Sequence, residues 1–412
     1  MVDNKLDRDL SSPFKGEREG HHTVAIVGGG AAGFFCAIRL KELCRQTEVT
    51  IFEKNRKVLA KVAISGGGRC NCTNTFAQIT DLSQAYPRGA TLLKRLFKQF
   101  SPQDTFRWFE EHGVPLVIQE DQCIFPKAQD SRAVIDCFMN EVRKYGIRIE
   151  TGCRIEDPVE LLKEFTDVVV TVGGLQHTSL HLPTPLVECV PSLFTFNIDD
   201  TRLHQLMGIV VENAVTSIPG TKLKAEGPIL ITHWGMSGPA ILKLSSYAAR
   251  HLAEKDYKSP LAVNWTGETN ADRVREHIIK IIESNAKTRL IDNVRPFGLN
   301  TRLWDYLLQK IGLGGKPLGD IGKKNVNRLV EVLTNDQYTI SSRCQYKDEF
   351  VTCGGVPLDS IDKRTMESLH TPHLYFAGEV LDIDGITGGF NFQAAWTTAD
   401  AAARGITRQV SA

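Results

Sequence analysis

The segment from Thr23 to Glu53 limits the possible folds more than any other. Thr23-Val24-Ala25-Ile26-Val27 is a short β-branched run, followed at once by Gly28-Gly29-Gly30. Ala31 to Leu43 then carries small and apolar residues at helical spacing, and Glu48-Val49-Thr50-Ile51-Phe52 reads as a second strand ending at Glu53. Strand, helix and strand within about 30 residues make a parallel βαβ unit, the opening of an α/β, Rossmann-type domain.

Gly28-Gly29-Gly30-Ala31-Ala32-Gly33 fits G-x-G-x-x-G at the mouth of that helix. Exposed backbone N–H groups and the helix dipole favour a pyrophosphate there. Gly28 permits the turn, Gly30 lets phosphate approach the backbone, and Gly33 lets the helix press on the strand. A plain glycine-rich turn would explain these residues alone. Glu53, however, sits 20 residues beyond Gly33 at a strand end, where a carboxylate can accept hydrogen bonds from ribose hydroxyls. Dinucleotide binding follows, and an acidic residue there disfavours a 2′-phosphate.

A second block, Lys61 to Asn74, contains Ser65-Gly66-Gly67-Gly68-Arg69-Cys70-Asn71-Cys72 and is too rich in glycine, hydroxyl and amide for ordinary helix or strand. It offers a nest of N–H donors, with Arg69 and Lys61 as charge partners for phosphate. The third block runs from Phe376 through Gly378-Glu379 to Gly388-Gly389-Phe390-Asn391-Phe392-Gln393 and a helix of small residues, Gln393 to Arg404. A strand ending in Gly-Glu can hydrogen-bond a ribityl chain, and the following helix N-terminus can stabilise the charge of a reduced flavin. A nicotinamide dehydrogenase has no need of this distant contact, so the pattern points to FAD. Gly312-Leu313-Gly314-Gly315-Lys316 follows a helical stretch and leads to Pro317, so it is not a second dinucleotide fingerprint.

At 412 residues the chain exceeds the usual limit of a single core, so more than one domain is expected. Residues 1–22 read as a loose leader, and Phe194 to Tyr346 differs in texture from its flanks. That region carries short strands such as Gly208–Ala214 and Ile229–Thr232, then helical stretches such as Arg273–Ser284. Helices are also expected between Leu92 and His112, one of them opening at Ser101-Pro102, and from Arg132 to Tyr145 with Ser131 as its cap. Asp167 to Thr171 is an unbroken apolar strand suited to the middle of a parallel sheet. The expected division is a leader at 1–22, a discontinuous FAD-binding domain at 23–193 and 347–412, a β-rich insertion at 194–266, and a helical or mixed cap at 267–346.

Forty-nine Lys and Arg against 48 Asp and Glu give no charge excess that would draw the chain to nucleic acid or membrane. A small-molecule substrate fits better, with NAD(P)H or oxygen as a transient redox partner. No apolar run approaches a membrane span, and ten scattered cysteines fit a reduced, cytoplasmic setting. Cys70 and Cys72 are too close for a zinc pair and no second pair completes four ligands, so no metal is expected.

At its three blocks the sequence resembles the aminoacetone oxidase-like (YhiN/BaiN-like) family of FAD-binding flavoproteins. The resemblance extends to Thr232-His233-Trp234-Gly235-Met236-Ser237-Gly238-Pro239-Ala240, to Thr352-Cys353-Gly354-Gly355-Val356 and to Thr365-Met366-Glu367-Ser368, covering nearly everything from Val24 to Gly405. It implies a glutathione reductase-like FAD domain interrupted by a β-rich and a helical domain that cover the flavin. Together, motif and resemblance assign cofactor contacts to Gly28, Gly30, Ala31, Ala32, Gly33, Glu53, Lys54, Lys61, Ser65, Gly66, Gly67, Arg69, Cys70, Asn71, Ile155, Gly173, Gly378, Glu379, Gly389, Asn391 and Phe392. The spacer Leu175 to Val190 is shorter than in similar proteins.

His233 and Trp234 could line the substrate side, although a histidine in a turn is more often structural. Cys70 beside Arg69 could be a low-pKa thiol, although a packed cysteine is the commoner case. No Ser-His-Asp or paired-carboxylate arrangement is evident, and the catalytic residue stays open. The leading functional expectation is an FAD-dependent oxidoreductase that oxidises a small amine or related C–H substrate. The alternatives are an NAD(P)H-dependent reductase of a double bond or quinone, and a flavin-carrying binding or RNA-associated protein.

Overall fold

A computed structural model describes residues 22–177, 180–344 and 351–410. Nearly all of the expected leader at 1–22, and the expected domain join at 346/347, lie outside the described residues.

The βαβ unit forms as Thr23–Val27, Ala31–Leu43 and Glu48–Glu53. Its strands are inner members of a five-stranded parallel sheet ordered Leu374–Phe376, Asp167–Val170, Thr23–Val27, Glu48–Glu53, Arg148–Thr151. Val168, Val169 and Val170 are fully buried between two partner strands, as their continuous apolar run requires. The edge strand Arg148–Thr151 is mostly exposed and correspondingly polar.

The C-terminal helix runs from Phe390 to Val410, longer at both ends than its sequence signal. It lies against the Ala31–Leu43 helix, and buried small residues occur on both: Ala32 and Ala37 on one, Ala394, Ala395, Ala399 and Ala402 on the other. Small side chains let the two axes approach closely. At their ends, buried Trp396 fills the space among Phe35, Phe109 and Phe138. Its indole N–H donates to the Cys72 carbonyl at 2.9 Å, so burial leaves that donor satisfied.

Two expected helices form at Ala90–Leu96 and Pro102–Glu111, the second opened by a reciprocal Ser101–Asp104 capping box. Arg132–Tyr145 is helical and ends at left-handed Gly146. Its expected cap fails: the Ser131 hydroxyl makes no cap bond and instead donates to the Ala63 carbonyl, tying this helix to the Ser65 block.

The insertion is a closed antiparallel barrel ordered Val210–Ser217, Lys224–Ile231, Gly235–Ser237, Phe196–Ile198, Asp336–Arg343, Ser259–Asn264. Helices Ala271–Ser284, Thr301–Lys310 and Lys323–Thr334 stand between its last two strands in the chain. Trp265, Trp304, Leu307 and Ile340 share one apolar core. The expected boundary at 266/267 therefore cuts through a barrel and its core. A strand drawn from beyond the helices was needed to close the sheet, and local periodicity cannot report closure.

The barrel is joined to the parallel-sheet domain through the antiparallel pair Val187–Ser192 and Val351–Gly355. A buried side-chain cluster reinforces the join. Arg88 forms an ion pair with Asp384, and the Ser192 hydroxyl donates to the same carboxylate at 2.8 Å. Arg88 also donates to the Ser246 carbonyl on a helix of the barrel side.

Candidate active site

A cleft of about 1080 Å³ opens between the carboxyl ends of the parallel strands and the barrel. Strand ends in an open α/β sheet are where loops diverge and leave such a crevice. Its floor begins at the fingerprint. Gly28 has φ +119°, and a Cβ there would lie 2.5 Å from the Thr171 carbonyl oxygen. A Cβ on Gly33 would lie 2.0 Å from the Gly28 carbonyl oxygen. Those two glycines serve backbone packing, and Gly33 lies beneath the cleft surface. Gly30 differs, because no atom lies within 4 Å of where its Cβ would stand, and no side chain caps the helix that starts after it. An open cradle at an uncapped helix N-terminus fits a pyrophosphate.

Glu53 is buried at the end of its strand. One carboxylate oxygen accepts from the Gly29 N–H at 2.9 Å, and the other accepts from the Asn55 backbone and side-chain N–H groups at 2.8 Å. These bonds hold the carboxylate at the fingerprint, where ribose hydroxyls would meet it.

The Ser65 block is helical further than expected: Lys61–Ile64 continues a helix opened at Ala60, and the irregular turn starts at Ser65. Gly66, Gly67 and Gly68 then take φ values of +56°, +68° and +82°. Three successive left-handed residues are available to glycine at little cost and turn backbone N–H groups outward.

This block is knitted to the C-terminal block. The Asn71 side-chain amide bridges the Thr73 carbonyl at 2.9 Å and the Gly389 N–H at 3.1 Å. Asn74 donates to the Gly388 carbonyl, and Tyr86 donates to the Phe390 carbonyl. Asn391 clasps Gly385 through its N–H and carbonyl, holding the turn that precedes the last helix. Across the mouth, Lys61 pairs with Glu379 at 2.8 Å, and Glu379 also accepts from the Thr352 N–H.

Of the residues assigned from sequence, Gly28, Gly30, Ala31, Ala32, Glu53, Lys54, Lys61, Ser65, Gly66, Gly67, Asn71, Gly173, Gly378, Glu379, Gly389, Asn391 and Phe392 line this one cleft. Four do not. Besides Gly33, Ile155 packs partly buried against the main core. Arg69 turns away, its guanidinium 4.3 Å from the Phe125 ring centroid and bonded to the Gly66 carbonyl and Gln129. Cys70 is fully buried with its sulfur 3.9 Å from that of Cys72. Arg69 thus braces the glycine turn and is not placed to activate a thiol, and burial pushes the neighbouring Cys72 thiol well up. His233 is exposed and lies with Trp234 outside the cleft wall, in a turn whose N–H groups at 234 and 235 donate to the Thr232 hydroxyl.

The opposite wall was not expected in detail. Leu193, Leu242, Tyr257, Lys258, Ser342 and Arg343 line it from four separate segments around the barrel. Burial pushes the Tyr257 phenol up, against an opposing influence of Arg343. No motif marks these residues. Thr171 and Gly29 were also missed, although both adjoin the strand ends where ligands gather.

A dinucleotide fingerprint, a ribose-side carboxylate and a distant C-terminal helix meeting in one cleft define an FAD-dependent oxidoreductase. The chain belongs to the family described as HI0933-like protein Rossmann domain, which matches residues 22–405. It is 27% identical to a ribosomal RNA dihydrouridine synthase of Haemophilus influenzae, over 93% of this chain and 98% of that one. A 3-dehydro-bile acid delta(4,6)-reductase of Clostridium scindens is 26% identical over 92% of this chain and 98% of its own length. A ribosomal RNA dihydrouridine synthase of Escherichia coli is likewise 26% identical, over 92% and 96%. No described helix is long and apolar enough to cross a membrane.

Proposed function

We propose that this protein reduces a carbon–carbon double bond conjugated to a carbonyl group, with electrons drawn from a nicotinamide nucleotide. The observation that carries this reading is the two-sided cleft. One wall is shaped for a dinucleotide, and the other presents Tyr257, Lys258 and Arg343, with Asp256 as its acidic member, beside apolar Leu193 and Leu242. A planar carbonyl compound needs such a wall, apolar for its faces and cationic for its oxygen. The activities named for the similar proteins support the same direction, since both add two hydrogens to a double bond.

Bound FAD supplies a ring nitrogen that accepts and releases hydride. The chain's own residues hold and shield it. The Gly28–Gly33 turn takes the pyrophosphate, Glu53 orients the adenosine ribose, and the Gly378–Phe392 block receives the flavin end. The barrel wall stands across the cleft from them. The open, structured cleft and its wall favour turnover over passive flavin carriage.

Amine oxidation, the direction expected from the sequence, would use the same cofactor in reverse. Anaerobic mixing separates the two. NADH or NADPH should bleach the bound flavin, and an RNA containing uridine or a 3-oxo-Δ4,6 steroid acid should restore its colour. Bleaching by aminoacetone, with neither acceptor reoxidising the reduced protein, would overturn the reductase reading and restore the oxidase one. The RNA arm also tests the expectation, drawn from the balanced charge, that nucleic acid is not a partner.

A further inference from the structure

Tyr257 occupies a backbone position that its residue type disfavours. It ends the turn that follows the short helix Ala249–Ala253, its N–H donating to the Leu252 carbonyl at 2.7 Å, with φ +58°; Asp256 before it has φ +51°. Helices that end in the left-handed region usually place glycine or asparagine there, because a larger side chain strains the backbone. A third strained residue, Leu193 at φ +57°, stands on the same cleft wall. Strain of this kind persists only where the surroundings impose it, and it gathers at functional sites.

The surroundings here impose a defined pose. The Tyr257 ring meets the edge of Phe194 at 5.6 Å and 82°, and the Arg343 guanidinium lies 5.1 Å from its centroid. Arg343 ends the barrel strand Asp336–Arg343, whose Ile340 pairs with Ser259, two residues beyond Tyr257. Barrel register thus brings a phenol and a guanidinium together from positions far apart in the chain. Leu193 follows Ser192, which is bonded to buried Asp384, and Ile383 beside Asp384 lines the flavin side of the same cleft. The strained wall is therefore fixed to the opposite wall through a buried contact.

We propose that Tyr257 and Arg343 form the substrate subsite of the cleft and hold the carbonyl oxygen of a planar, conjugated unsaturated carbonyl compound. The inference rests on the reductase reading above and adds which residues recognise the substrate. The Tyr257 O–H and the Arg343 N–H groups donate to that oxygen, while Leu193 and Leu242 pack on the apolar faces. Donation to the oxygen draws electron density from the conjugated double bond, so the same contacts that bind the substrate would prepare its far carbon for hydride from reduced FAD, with a solvent proton completing the carbon next to the carbonyl. A pyrimidine base and a 3-oxo-4-ene steroid share this chemistry.

Binding to the oxidised, FAD-loaded protein tests the subsite without turnover. Uridine 5′-monophosphate and a 3-oxo-Δ4 steroid carboxylic acid serve as probes, followed by the shift of the flavin absorption bands and by calorimetry. The wild type should bind at least one probe saturably, and the one it binds identifies the source of the carbonyl. Arg343→Met should weaken that binding about tenfold or more, as loss of a charge-assisted hydrogen bond does, and Tyr257→Phe by a smaller factor. Both variants should keep wild-type FAD affinity. Undiminished probe binding by both variants overturns the subsite and leaves the reductase reading standing. A wild type that binds neither probe overturns both. If Arg343→Met fails to load FAD, Tyr257→Phe, which removes one hydroxyl, decides.

Discussion

The two walls of the cleft are built from different materials. The parallel-sheet wall presents much exposed backbone: Gly28, Gly30, Gly66, Gly67, Gly378 and Gly389 line it. The barrel wall is mostly side chain, gathered from positions 193, 242, 257, 258, 342 and 343. A site made of backbone leaves a trace in sequence, because a Cβ in the wrong place collides with main-chain atoms. One on Gly389 would meet the Thr73 carbonyl oxygen at 2.3 Å. A site made of side chains leaves none, because leucine, tyrosine and arginine occur everywhere. On the proposals above, the cofactor is held by the legible wall and the substrate by the silent one.

The contact that locks the walls together should give the largest effect. Asp384→Ala would leave the Arg88 guanidinium buried without its carboxylate, and breaking such a pair costs about 3–5 kcal/mol. Thermal melting of the FAD-loaded protein should show a large fall, and an unchanged melting temperature would mean that the walls are not coupled through this pair. Burial raises the Asp384 carboxyl pKa despite Arg88, so this pair should weaken toward acid sooner than an ordinary carboxylate would.

The two kinds of glycine in the fingerprint should then separate. Gly33→Ala forces a Cβ against the Gly28 carbonyl and should destabilise the protein by about 1–3 kcal/mol even without cofactor. Gly30→Ala meets open space and should leave the apoprotein's melting temperature almost unchanged while FAD affinity falls. Equal destabilisation by both would remove the distinction between packing and ligand glycines. Glu53→Ala should lower FAD affinity about tenfold, the cost of losing hydrogen bonds to a charged group, and an undiminished dissociation constant would remove Glu53 from the site.

The smallest effect is a pH dependence confined to the sheet domain. His112 stacks on Trp108, and its two ring nitrogens face the Trp108 carbonyl at 2.6 Å and the Glu42 carboxylate at 2.9 Å. Both partners accept, an arrangement that favours the doubly protonated, cationic ring. Burial works to lower its pKa, but the bonds to Glu42 and to the Trp108 carbonyl outweigh burial and raise it above the ordinary 6.5. A raised folded-state pKa gives stability that is complete below about pH 6.5 and is lost as pH climbs through the higher folded value. The melting temperature should fall by about a few degrees across that range, and His112→Gln should flatten the curve. A wild-type curve as flat as the variant's would show that the ring is neutral.

Much of the sheet domain was readable in advance because its signals are local. Alternation, helical spacing, glycine and the Ser101-Pro102 start each act within a few residues. They gave Thr23–Val27, Ala31–Leu43, Glu48–Glu53 and Arg132–Tyr145 with near-correct ends. The misreadings arose where a distant partner decided the outcome. The Ser131 hydroxyl bonds Ala63, Arg69 stacks on Phe125, and a strand at Asp336–Arg343 closes a barrel begun at Phe196.

The sequence by itself determined that a parallel βαβ unit would form around a dinucleotide fingerprint, and that the cofactor would be FAD. Those features rest on which residues can adopt a backbone shape, a property each residue carries with it. Only the tertiary structure decided what stands across the cleft from the glycine-rich wall, because Leu193, Tyr257 and Arg343 become neighbours solely through barrel closure and the buried Arg88–Asp384–Ser192 cluster. Contacts made across such sequence distances depend on the packing of the whole chain and have no local pattern to read.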